Sequence, residues 1–343
     1  MSTRSEKITV LFLSKIAEPI QEYLLTNLNK YKNLKLLFSS DTSNKSILSL
    51  VPDADVLIGW RPTRTMLKKA VKLKMFINPG AGVTHLIELF REVNQEREVK
   101  LINGHGNSYF VAQHAVALLL TFMNKTILHH QWMKQGKWRT GDKEATSIPL
   151  RFRKVGLLGY GAINKKIHKM LQGFNIEFSI LRKHWDKQEE QLITPVKKFH
   201  QYQVNEFCKE IDILIIAIPL TSKTEDLIGK EQLNMLGKEG IIINVGRGKI
   251  INEKALYNAL RDKTIAGAAI DAWYNYTPEE EKDGKKYPYN FPFHELDNII
   301  LSPHRGYSPF IDLLRWDEVI ENLSRLSENS NNFINQVNLA EEY

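Results

Sequence analysis

The stretch Lys154–Asn164, KVGLLGYGAIN, decides the fold that this sequence predicts. A short apolar run ends at Leu158 and predicts a strand, and a glycine turn and a helical pattern follow it. Gly159 permits the tight bend, and Gly161 lets the backbone approach a pyrophosphate that the free amides of the helix also face. Asn164 replaces the third glycine of the G-x-G-x-x-G pattern, which we expect to loosen helix–strand packing slightly. Because a plain strand–helix turn explains this motif alone equally well, its context along the chain decides.

Composition limits the class of protein. Hydrophobic residues make up 43% of the 343 residues and charged residues 25%, which is typical of two folded domains. The apolar run Ile8–Leu13 is too short for a membrane span, so we expect no membrane association. A single cysteine, Cys208, excludes an intramolecular disulfide and Cys-rich zinc sites and favours a cytoplasmic protein. The net charge of +8 favours small anionic ligands, but scattered basic residues predict no nucleic-acid role. We expect no metal site.

The first hundred residues alternate between short apolar runs and helical segments, which predicts a parallel sheet covered by helices. Its fourth strand ends in the turn Asn78–Gly82, where the amides of Ala81 and Gly82 fit a carboxylate, although a plain turn explains the segment equally well. The periodic stretch Tyr109–Gln135 predicts one long helix that crosses between domains or contacts a second subunit.

From Lys154 onward the alternation resumes, and the predicted strands end at Leu158, Leu181, Ile218, Val245, Ile270 and Ser302. Polar or small residues follow each strand. Because ligands of open parallel sheets bind beyond the carboxyl ends of the strands, these ends predict a dinucleotide crevice. The stretch Ser308–Gln336 predicts an amphipathic helix that returns to the first domain, with an apolar face formed by Leu313, Leu314, Val319, Leu323 and Leu326.

Six ordered blocks resemble the D-isomer-specific 2-hydroxyacid dehydrogenase family over nearly the whole chain. They are NPGAGV at 78–83, VGLLGYGAIN at 155–164, AIPLTSKT at 217–224, INVGRGKIINEKAL at 243–256, GAAIDAW at 267–273 and SPHRG at 302–306. The resemblance implies an α/β fold of two doubly wound parallel-sheet (Rossmann-like) domains with an interdomain cleft. It implies a substrate-binding domain from residues 1–107 and 307–343, a dinucleotide-binding domain from 108–306, and a homodimer whose contact includes Tyr109–Gln135.

Two side chains match the family's catalytic positions. Arg247 lies in a Gly-Arg-Gly turn, where its planar guanidinium suits the carboxylate and C2 oxygen of a 2-oxo acid. The alternative for Arg247 is a surface arginine in a turn. His304 matches the general acid/base, and an imidazole with a pKa of roughly 6.5 suits transfer of the C2 hydroxyl proton near neutral pH. A lone histidine is more often structural, so the motif around His304 carries this interpretation.

The family's third catalytic element differs here. The carboxylate that orients the histidine lies five places after the residue that matches Asp271, and Tyr276 occupies that place. A tyrosine can hydrogen-bond an imidazole but does not favour its protonated form, and Arg305 adds a positive charge. We therefore expect a lowered pKa for His304 and reductase activity that falls as pH rises through roughly 6 to 7. The run Glu279–Glu281 is an alternative source of a carboxylate, although it is typical of an exposed loop.

The cofactor is predicted from a strand end. Arg182 and Lys183 stand where NAD-specific relatives have an acidic residue for the adenosine 2′-hydroxyl. Because a guanidinium attracts a 2′-phosphate, we favour NADP(H), with NAD(H) possible and a solvent-facing basic turn as the alternative. The other cofactor candidates are Gly159, Gly161, Ala162 and Ile163 for the pyrophosphate, Pro219 and Thr224 for the adenosine side, and Val245 and Asp271 toward the nicotinamide.

Together these residues predict an NAD(P)-dependent oxidoreductase that transfers a hydride between a nicotinamide cofactor and a small D-2-hydroxy acid or 2-oxo acid. One alternative is a dinucleotide-sensing binding module, as in corepressor relatives, and another is a formate- or phosphite-oxidising relative. Arg247 and His304 argue against a purely sensing role, since sensing needs no proton transfer. For Trp60, His105 and Tyr109, packing explains the residue better than a place in a substrate pocket.

Overall fold

The structure is a computed structural model that describes residues 7–139, 143, 145–185, 191–308 and 312–343. The chain folds into two units, one formed by Met1–Asn107 with Pro309–Tyr343 and the other by Ser108–Ser308. Each unit is built on one parallel sheet with helices. The predicted fold class, an α/β protein with two parallel sheets, is therefore confirmed.

The smaller unit contains a five-stranded parallel sheet in the order β2-β1-β3-β4-β5. Both faces of its strands are buried, with Leu11 and Phe76 in one apolar layer and Val10 and Met75 in the other. This follows from the period of two along a strand when helices cover both faces. The elements are β1 (Ile8–Phe12), α1 (Glu18–Leu28), β2 (Leu34–Phe38), α2 (Asn44–Leu50), β3 (Val56–Ile58), α3 (Arg64–Lys69), β4 (Met75–Asn78), α4 (Ile87–Glu96) and β5 (Lys100–Asn103).

The larger unit contains a seven-stranded parallel sheet in the order β12-β11-β10-β9-β6-β7-β8, whose strand order reverses between β6 and β9. Its elements are α5 (Ser108–Met123), α6 (Thr126–Lys134), β6 (Lys154–Leu158), α7 (Ala162–Leu171), β7 (Glu177–Arg182), β8 (Val196–His200), α8 (Val204–Glu210), β9 (Ile213–Ile216), α9 (Lys230–Leu236), β10 (Ile241–Asn244), α10 (Glu253–Arg261), β11 (Gly267–Ile270) and β12 (Ile299–Leu301). Such a reversal is where doubly wound sheets bind nucleotides.

The same device fixes the start of the first strand in both units. In each unit, an aspartate directly before a strand that pairs with the first strand accepts a backbone N–H of that first strand. The side chain of Asp55, before β3, accepts from Thr9 at 2.9 Å, and that of Asp212, before β9, accepts from Lys154 at 2.9 Å. The backbone carbonyl of each aspartate also accepts a hydrogen bond from the segment of the next strand. The N–H of Lys74 donates to the carbonyl of Asp55, and the N–H of Ile241 donates to that of Asp212. These bonds satisfy backbone groups at the strand starts and hold neighbouring strands level.

The prediction of one helix over Tyr109–Gln135 is wrong. The helices α5 and α6 meet at a bend of 63°, where Lys125 adopts a left-handed backbone with φ of 53°. α5 carries buried residues such as Ala112 and Leu119, whereas α6 has no buried residue, so the break lets only the first segment enter the core. In the described ranges, no single helix is long and apolar enough to cross a membrane.

The predicted helix over Ser308–Gln336 is also wrong in extent. Only α11 (Asp317–Ser327) is α-helical, after a 3-10 turn at Leu313–Trp316. Val319 and Leu323 are buried in the smaller unit as expected, but Leu314 is 65% exposed. Asn329, with φ of 59°, takes a left-handed conformation just after the helix and ends it. Residues 309–311 of the predicted helix lie outside the described residues.

The sequence interpretation missed β8, the edge strand of the larger sheet. Its residues Val-Lys-Lys-Phe-His pair in parallel with β7, and Arg182 is aligned with His200. Only Phe199 is buried, while Lys197 and Lys198 are exposed. A strand with a single buried residue has too weak an apolar pattern to be recognised from sequence, and charged residues are typical of edge strands.

Candidate functional site

The register of the larger sheet brings the candidate residues to one edge. Parallel pairing sets the following residues level with one another across six strands: Leu181, Leu158, Ile216, Asn244, Ile270 and Leu301. Since the segments that follow level residues of parallel strands leave the sheet at the same edge, the candidates after them are neighbours. This edge carries Arg182, the glycine turn after Leu158, Arg247, Asp271 and His304.

The glycine turn after β6 has the geometry of an anion site. Gly159 has φ of 82°, and a Cβ there would lie 2.4 Å from Cγ2 of Ile218, so both the backbone and the space require glycine. A Cβ at Gly161 would meet nothing within 4 Å. Gly161 precedes α7, and among the described residues no side chain caps the N-terminus of that helix, so its first amides, at Ala162 and Ile163, are left for an anion.

The expectation that Asn164 loosens this motif is wrong. Its side chain is fully buried, and Nδ2 donates to the carbonyl oxygens of Leu158 at 3.0 Å and Gly159 at 2.7 Å. A glycine at this position makes no such bonds. The side-chain amide of Asn164 therefore connects the first turn of α7 to the end of β6 and stabilises the glycine turn.

Arg247, His304 and Tyr276 lie together at the ends of β10, β11 and β12. The rings of Tyr276 and His304 are 4.9 Å apart at 73°, and the charge of Arg247 acts on both. Nδ1 of His304 lies 3.1 Å from the carbonyl oxygen of Asp271. Because a carbonyl only accepts, Nδ1 carries a proton and Nε2 is the atom left to exchange one. The backbone carbonyl thus orients the imidazole where the family pattern has a carboxylate.

The pKa of His304 is lowered from 6.5, as the sequence predicts in direction. Its main cause is burial, which disfavours the charged imidazolium, and the charges of Arg247 and Arg305 lower it further. Asp271 acts in the opposite sense through its charge and its carbonyl bond. The acidic run Glu279–Glu281 is exposed, and it is not among the groups that shift this histidine.

Asp271 holds the turn on which His304 stands. Its buried carboxylate accepts from the hydroxyl of Ser302 at 2.5 Å and from the N–H groups of Arg305 at 2.6 Å and Gly306 at 2.9 Å. Nε2 of His114, on α5, lies 3.3 Å from the same carboxylate and 2.9 Å from the Ser302 hydroxyl. Burial alone would raise the pKa of Asp271, but these bonds outweigh it and lower the pKa to about 2.

This support matters because His304 has φ of 54°. A left-handed conformation costs a non-glycine residue about 1–3 kcal/mol, so the surrounding bonds must hold it. The indole N–H of Trp273 adds one more, to the carbonyl of Ser302 at 2.8 Å. Sequence reasoning missed His114 and Ser302. Their only signal was a histidine among the apolar residues of α5 and the serine that opens SPHRG.

A basic cluster surrounds the end of β7. The guanidinium of Arg182 lies 4.1 Å from the ring centre of Trp185, and Nζ of Lys198 lies 5.0 Å from the same ring. Lys183 follows Arg182, and His200 is level with it on β8. The cluster therefore offers several positive charges around one indole. Sequence reasoning missed Lys198 and His200 because it missed β8.

Among the remaining cofactor candidates, Thr224 and Val245 form hydrogen bonds within the protein itself. The hydroxyl of Thr224 accepts the N–H of Thr221 at 2.8 Å and donates to the carbonyl of Pro219 at 2.8 Å, which closes their turn. Val245 is buried, and its N–H donates to the carbonyl of Ile216 at 3.2 Å. Contacts of Pro219, Thr224 and Val245 with a cofactor stay predictions.

In the smaller unit, two asparagines shape the turn after β4. Nδ2 of Asn103 donates to the carbonyl of Ala81 at 3.0 Å, and Nδ2 of Asn78 donates to that of Gly82 at 3.3 Å. The N–H groups of Ala81 and Gly82 have no acceptor among the described residues. With its carbonyls held by Asn78 and Asn103, this turn keeps two donors available for an anion.

The three residues for which packing was the expected role differ in environment. Trp60 is 43% exposed and packs on Gly80, where a Cβ would lie 2.5 Å from the indole. Tyr109 is 52% exposed at the start of α5. The N–H of His105 donates to the carboxylate of Glu318, which joins β5 to α11 within the smaller unit.

Comparison with known proteins identifies related chains. Residues 116–306 match the family model described as D-isomer specific 2-hydroxyacid dehydrogenase, NAD binding domain. Over 276 residues the chain is 31% identical to a glyoxylate reductase from Pyrococcus furiosus, and the match covers 78% of this chain and 77% of that protein. Over 299 residues it is 28% identical to a D-3-phosphoglycerate dehydrogenase from Methanocaldococcus jannaschii, with 85% of this chain covered. That match covers 53% of the relative, so the chain spans about half of its length.

The fold is also similar to a solved structure. The crystal structure of an NADPH-dependent glyoxylate/hydroxypyruvate reductase from Sinorhizobium meliloti, in complex with NADP and malonate, superposes with a TM-score of 0.69. The match covers 98% of each chain at 23% sequence identity.

The two glycines of the turn should respond differently to alanine. Gly159→Ala should destabilise the larger unit by at least about 1–2 kcal/mol, because it combines a left-handed backbone with a clash against Ile218. Gly161→Ala should stay within about 0.5 kcal/mol of the wild-type stability, since its methyl group enters open space, but should weaken dinucleotide binding. Thermal unfolding and fluorescence titration with NADPH measure the two effects. Wild-type NADPH affinity in Gly161→Ala would contradict the assignment of the anion site.

Proposed function

The chain belongs to the D-isomer-specific 2-hydroxyacid dehydrogenase family, and we propose that it reduces small 2-oxo acids such as glyoxylate or hydroxypyruvate with NADPH. One observation carries this proposal. The guanidinium of Arg247 and the imidazole of His304 stand together at the strand ends that also carry the glycine turn. A carboxylate-binding cation and a proton donor beside a dinucleotide site are the parts that reduction of a 2-oxo acid needs.

Four residues of the larger unit have distinct roles in the proposed reaction. Arg247 binds the substrate carboxylate and C2 oxygen through its planar fork of N–H donors. His304, protonated at Nε2, gives its proton to the C2 oxygen as that oxygen gains charge, and in the reverse direction it takes the proton back. The carbonyl of Asp271 keeps the proton on Nδ1 and so fixes the ring for this transfer. Tyr276 packs against the imidazole and limits its solvent contact.

The glycine turn fits a dinucleotide by the space at Gly161 and the uncapped N-terminus of α7. Gly159 and Gly161, with the amides of Ala162 and Ile163, would hold the pyrophosphate. When bound, the nicotinamide supplies or accepts the hydride. We assign dinucleotide binding to the larger unit. In the smaller unit, the N–H groups of Ala81 and Gly82 stay the predicted carboxylate-binding donors.

The function is tested with NADPH and a panel of glyoxylate, hydroxypyruvate and a longer 2-oxo acid. Arg247→Lys should lower kcat/KM about 100-fold, because a point charge cannot replace two aligned bonds of a guanidinium, together worth roughly 3 kcal/mol. His304→Gln should lower kcat by about 10²–10⁴ and leave NADPH binding intact. His294→Gln, at a surface histidine stacked on Tyr287, is the control and should keep wild-type turnover.

The alternatives give different results in the same assay. NADPH binding without turnover of any 2-oxo acid would indicate a dinucleotide-sensing module. Turnover of formate or phosphite instead would indicate the oxidising relatives. Either result would overturn the proposal.

A preference for NADP(H) is proposed from the basic cluster at the end of β7. A 2′-phosphate beyond this strand would meet Arg182, Lys183 and Lys198, whereas a carboxylate at the same place would repel it. The guanidinium of Arg182 packs 4.1 Å from the ring centre of Trp185, and its planar fork suits a bidentate bond to phosphate. The similar reductase with NADP bound is consistent with this choice.

Arg182→Ala should raise the KM for NADPH at least about tenfold, since a charge-assisted bond is worth about 1.5–3 kcal/mol, and should change the KM for NADH little. Steady-state kinetics with both cofactors measure the ratio. Arg261→Ala, which removes an exposed arginine paired with Asp262, is the matched control. Equal effects of Arg182→Ala on both cofactors would contradict the 2′-phosphate assignment.

The lowered pKa of His304 determines the pH dependence. Reduction uses the protonated imidazole, and this form is lost as pH rises through its pKa, so kcat/KM for reduction should fall at a pH below the ordinary 6.5. Tyr276→Glu places a carboxylate 4–6 Å or so from the ring and should move the falling limb up by about one pH unit.

Tyr276→Gln is the control for that shift, because it has a similar size to glutamate and no charge, and its falling limb should stay low. The pH profile of kcat/KM decides the point. Activity of the wild type that stays flat to about pH 8 would contradict the assignment.

We propose that the chain forms a homodimer through α6 and the residues after it. This helix has no buried residue, and Ile127, Met133 and Trp138 are 44%, 56% and 73% exposed. A cluster of large exposed apolar side chains is typical of a protein interface. A monomer mass in sedimentation equilibrium would contradict this proposal.

A cytoplasmic location stays a prediction from the single cysteine.

A further inference from the structure

A chain of polar groups, buried at Tyr160 and His168 and half-buried at Thr194, connects the glycine turn to the segment before β8. The residue between the two glycines is Tyr160, which is 8% exposed, and its hydroxyl lies 2.8 Å from Nδ1 of His168 on α7. Nε2 of His168 lies 2.8 Å from Oγ1 of Thr194. Oγ1 of Thr194 donates in turn to the carbonyl of Pro195 at 3.2 Å.

Only one direction of donation uses all of these contacts. Since the Thr194 hydroxyl gives its proton to Pro195, it accepts the N–H at Nε2 of His168. Nδ1 of His168 is then an acceptor for the Tyr160 hydroxyl. A neutral imidazole, with one donor and one acceptor, satisfies both partners, and burial lowers the pKa of His168 to about 4, which keeps it neutral.

The network is held rigid by its surroundings. His168 is fully buried, and its ring lies 4.0 Å from that of Phe178 on β7. Asn164 binds the carbonyl groups at the other side of the glycine turn. The turn is therefore fixed by two side chains, because its glycines by themselves leave the backbone free.

The two ends of this network lie at two parts of the proposed cofactor site. Tyr160 lies between the glycines that would hold the pyrophosphate. Thr194 lies two residues before β8, the strand that carries Lys198 beside Trp185 and places His200 level with Arg182. Phenylalanine and valine would fill the places of Tyr160 and Thr194 without buried polar atoms, so packing alone does not account for the polar chain.

We propose that Tyr160, His168 and Thr194 are positioning residues for the dinucleotide, which keep the pyrophosphate turn and the basic cluster at a fixed separation. The network sets the affinity for NADPH and takes no part in proton or hydride transfer. This inference rests on the proposed function, because it assumes that the glycine turn and the basic cluster bind one cofactor.

The test compares Tyr160→Phe, Thr194→Val and the double variant by fluorescence titration with NADPH and NADH. Tyr160→Phe should weaken NADPH binding about tenfold, which corresponds to loss of one buried hydrogen bond. Thr194→Val should weaken NADPH binding more than NADH binding, because it loosens the segment next to the 2′-phosphate cluster. The double variant should be little weaker than Tyr160→Phe alone, since both remove parts of one network.

Kinetics separate positioning from a general loss of structure. KM for NADPH should rise in both variants, while kcat at saturating NADPH stays within about twofold of the wild type. Tyr287→Phe removes a hydroxyl from a tyrosine whose ring stacks on His294, outside the network, and should leave both constants unchanged.

Wild-type NADPH affinity in Tyr160→Phe and Thr194→Val, or strictly additive effects in the double variant, would overturn the inference. If Tyr160→Phe does not fold, Thr194→Val at its half-buried position decides the matter. A wild-type protein that binds NADPH but turns over no 2-oxo acid would refute the proposed function and leave this inference standing. A wild-type protein that binds neither dinucleotide would refute both.

Discussion

Level pairing of the parallel strands is the constraint on which the candidate site depends. In the larger sheet, Leu158, Asn244, Ile270 and Leu301 belong to one continuous register. A slip of one residue in any pair would turn buried side chains to the opposite face, so the packing of two apolar layers fixes the register. The segments after these residues then leave the sheet together, and this is why residues separated by up to 145 positions in sequence, from Gly159 to His304, lie at one edge.

The turn that carries His304 is held by both the side chain and the backbone of Asp271. The carboxylate of Asp271 accepts two N–H groups of the turn that carries His304, and its carbonyl orients the imidazole. One residue thus fixes both the strained turn and the ring. Among the described residues no carboxylate hydrogen-bonds the imidazole, and burial with the charges of Arg247 and Arg305 outweighs the opposing effect of Asp271, so the pKa of His304 is lowered.

The two turns that are candidate anion sites share a second pattern. In both units a turn after a strand offers backbone N–H groups, and asparagine side chains occupy the neighbouring carbonyls. Asn164 does this for the glycine turn, and Asn78 and Asn103 do it for the turn at Ala81 and Gly82. Binding the carbonyl oxygens keeps the peptide planes oriented so that the amides remain available.

The sequence by itself determined the fold class and the strands that carry the candidate site, because apolar runs and glycine turns are local signals. The ordered motifs that resemble a known family selected Arg247 and His304 as candidates. It also placed Tyr276 where the family pattern has a carboxylate, and it predicted the direction in which the pKa of His304 is shifted. Only the tertiary structure decided what surrounds these residues. The predicted helix ends in a bend at Lys125, although no glycine or proline at that point of the sequence predicts one. The bend occurs there because only the first segment packs into the core. The tertiary structure showed β8, Lys198 and the clamp of His114 and Ser302 on Asp271. These depend on contacts between residues far apart in the chain, and a one-dimensional pattern carries no record of such contacts.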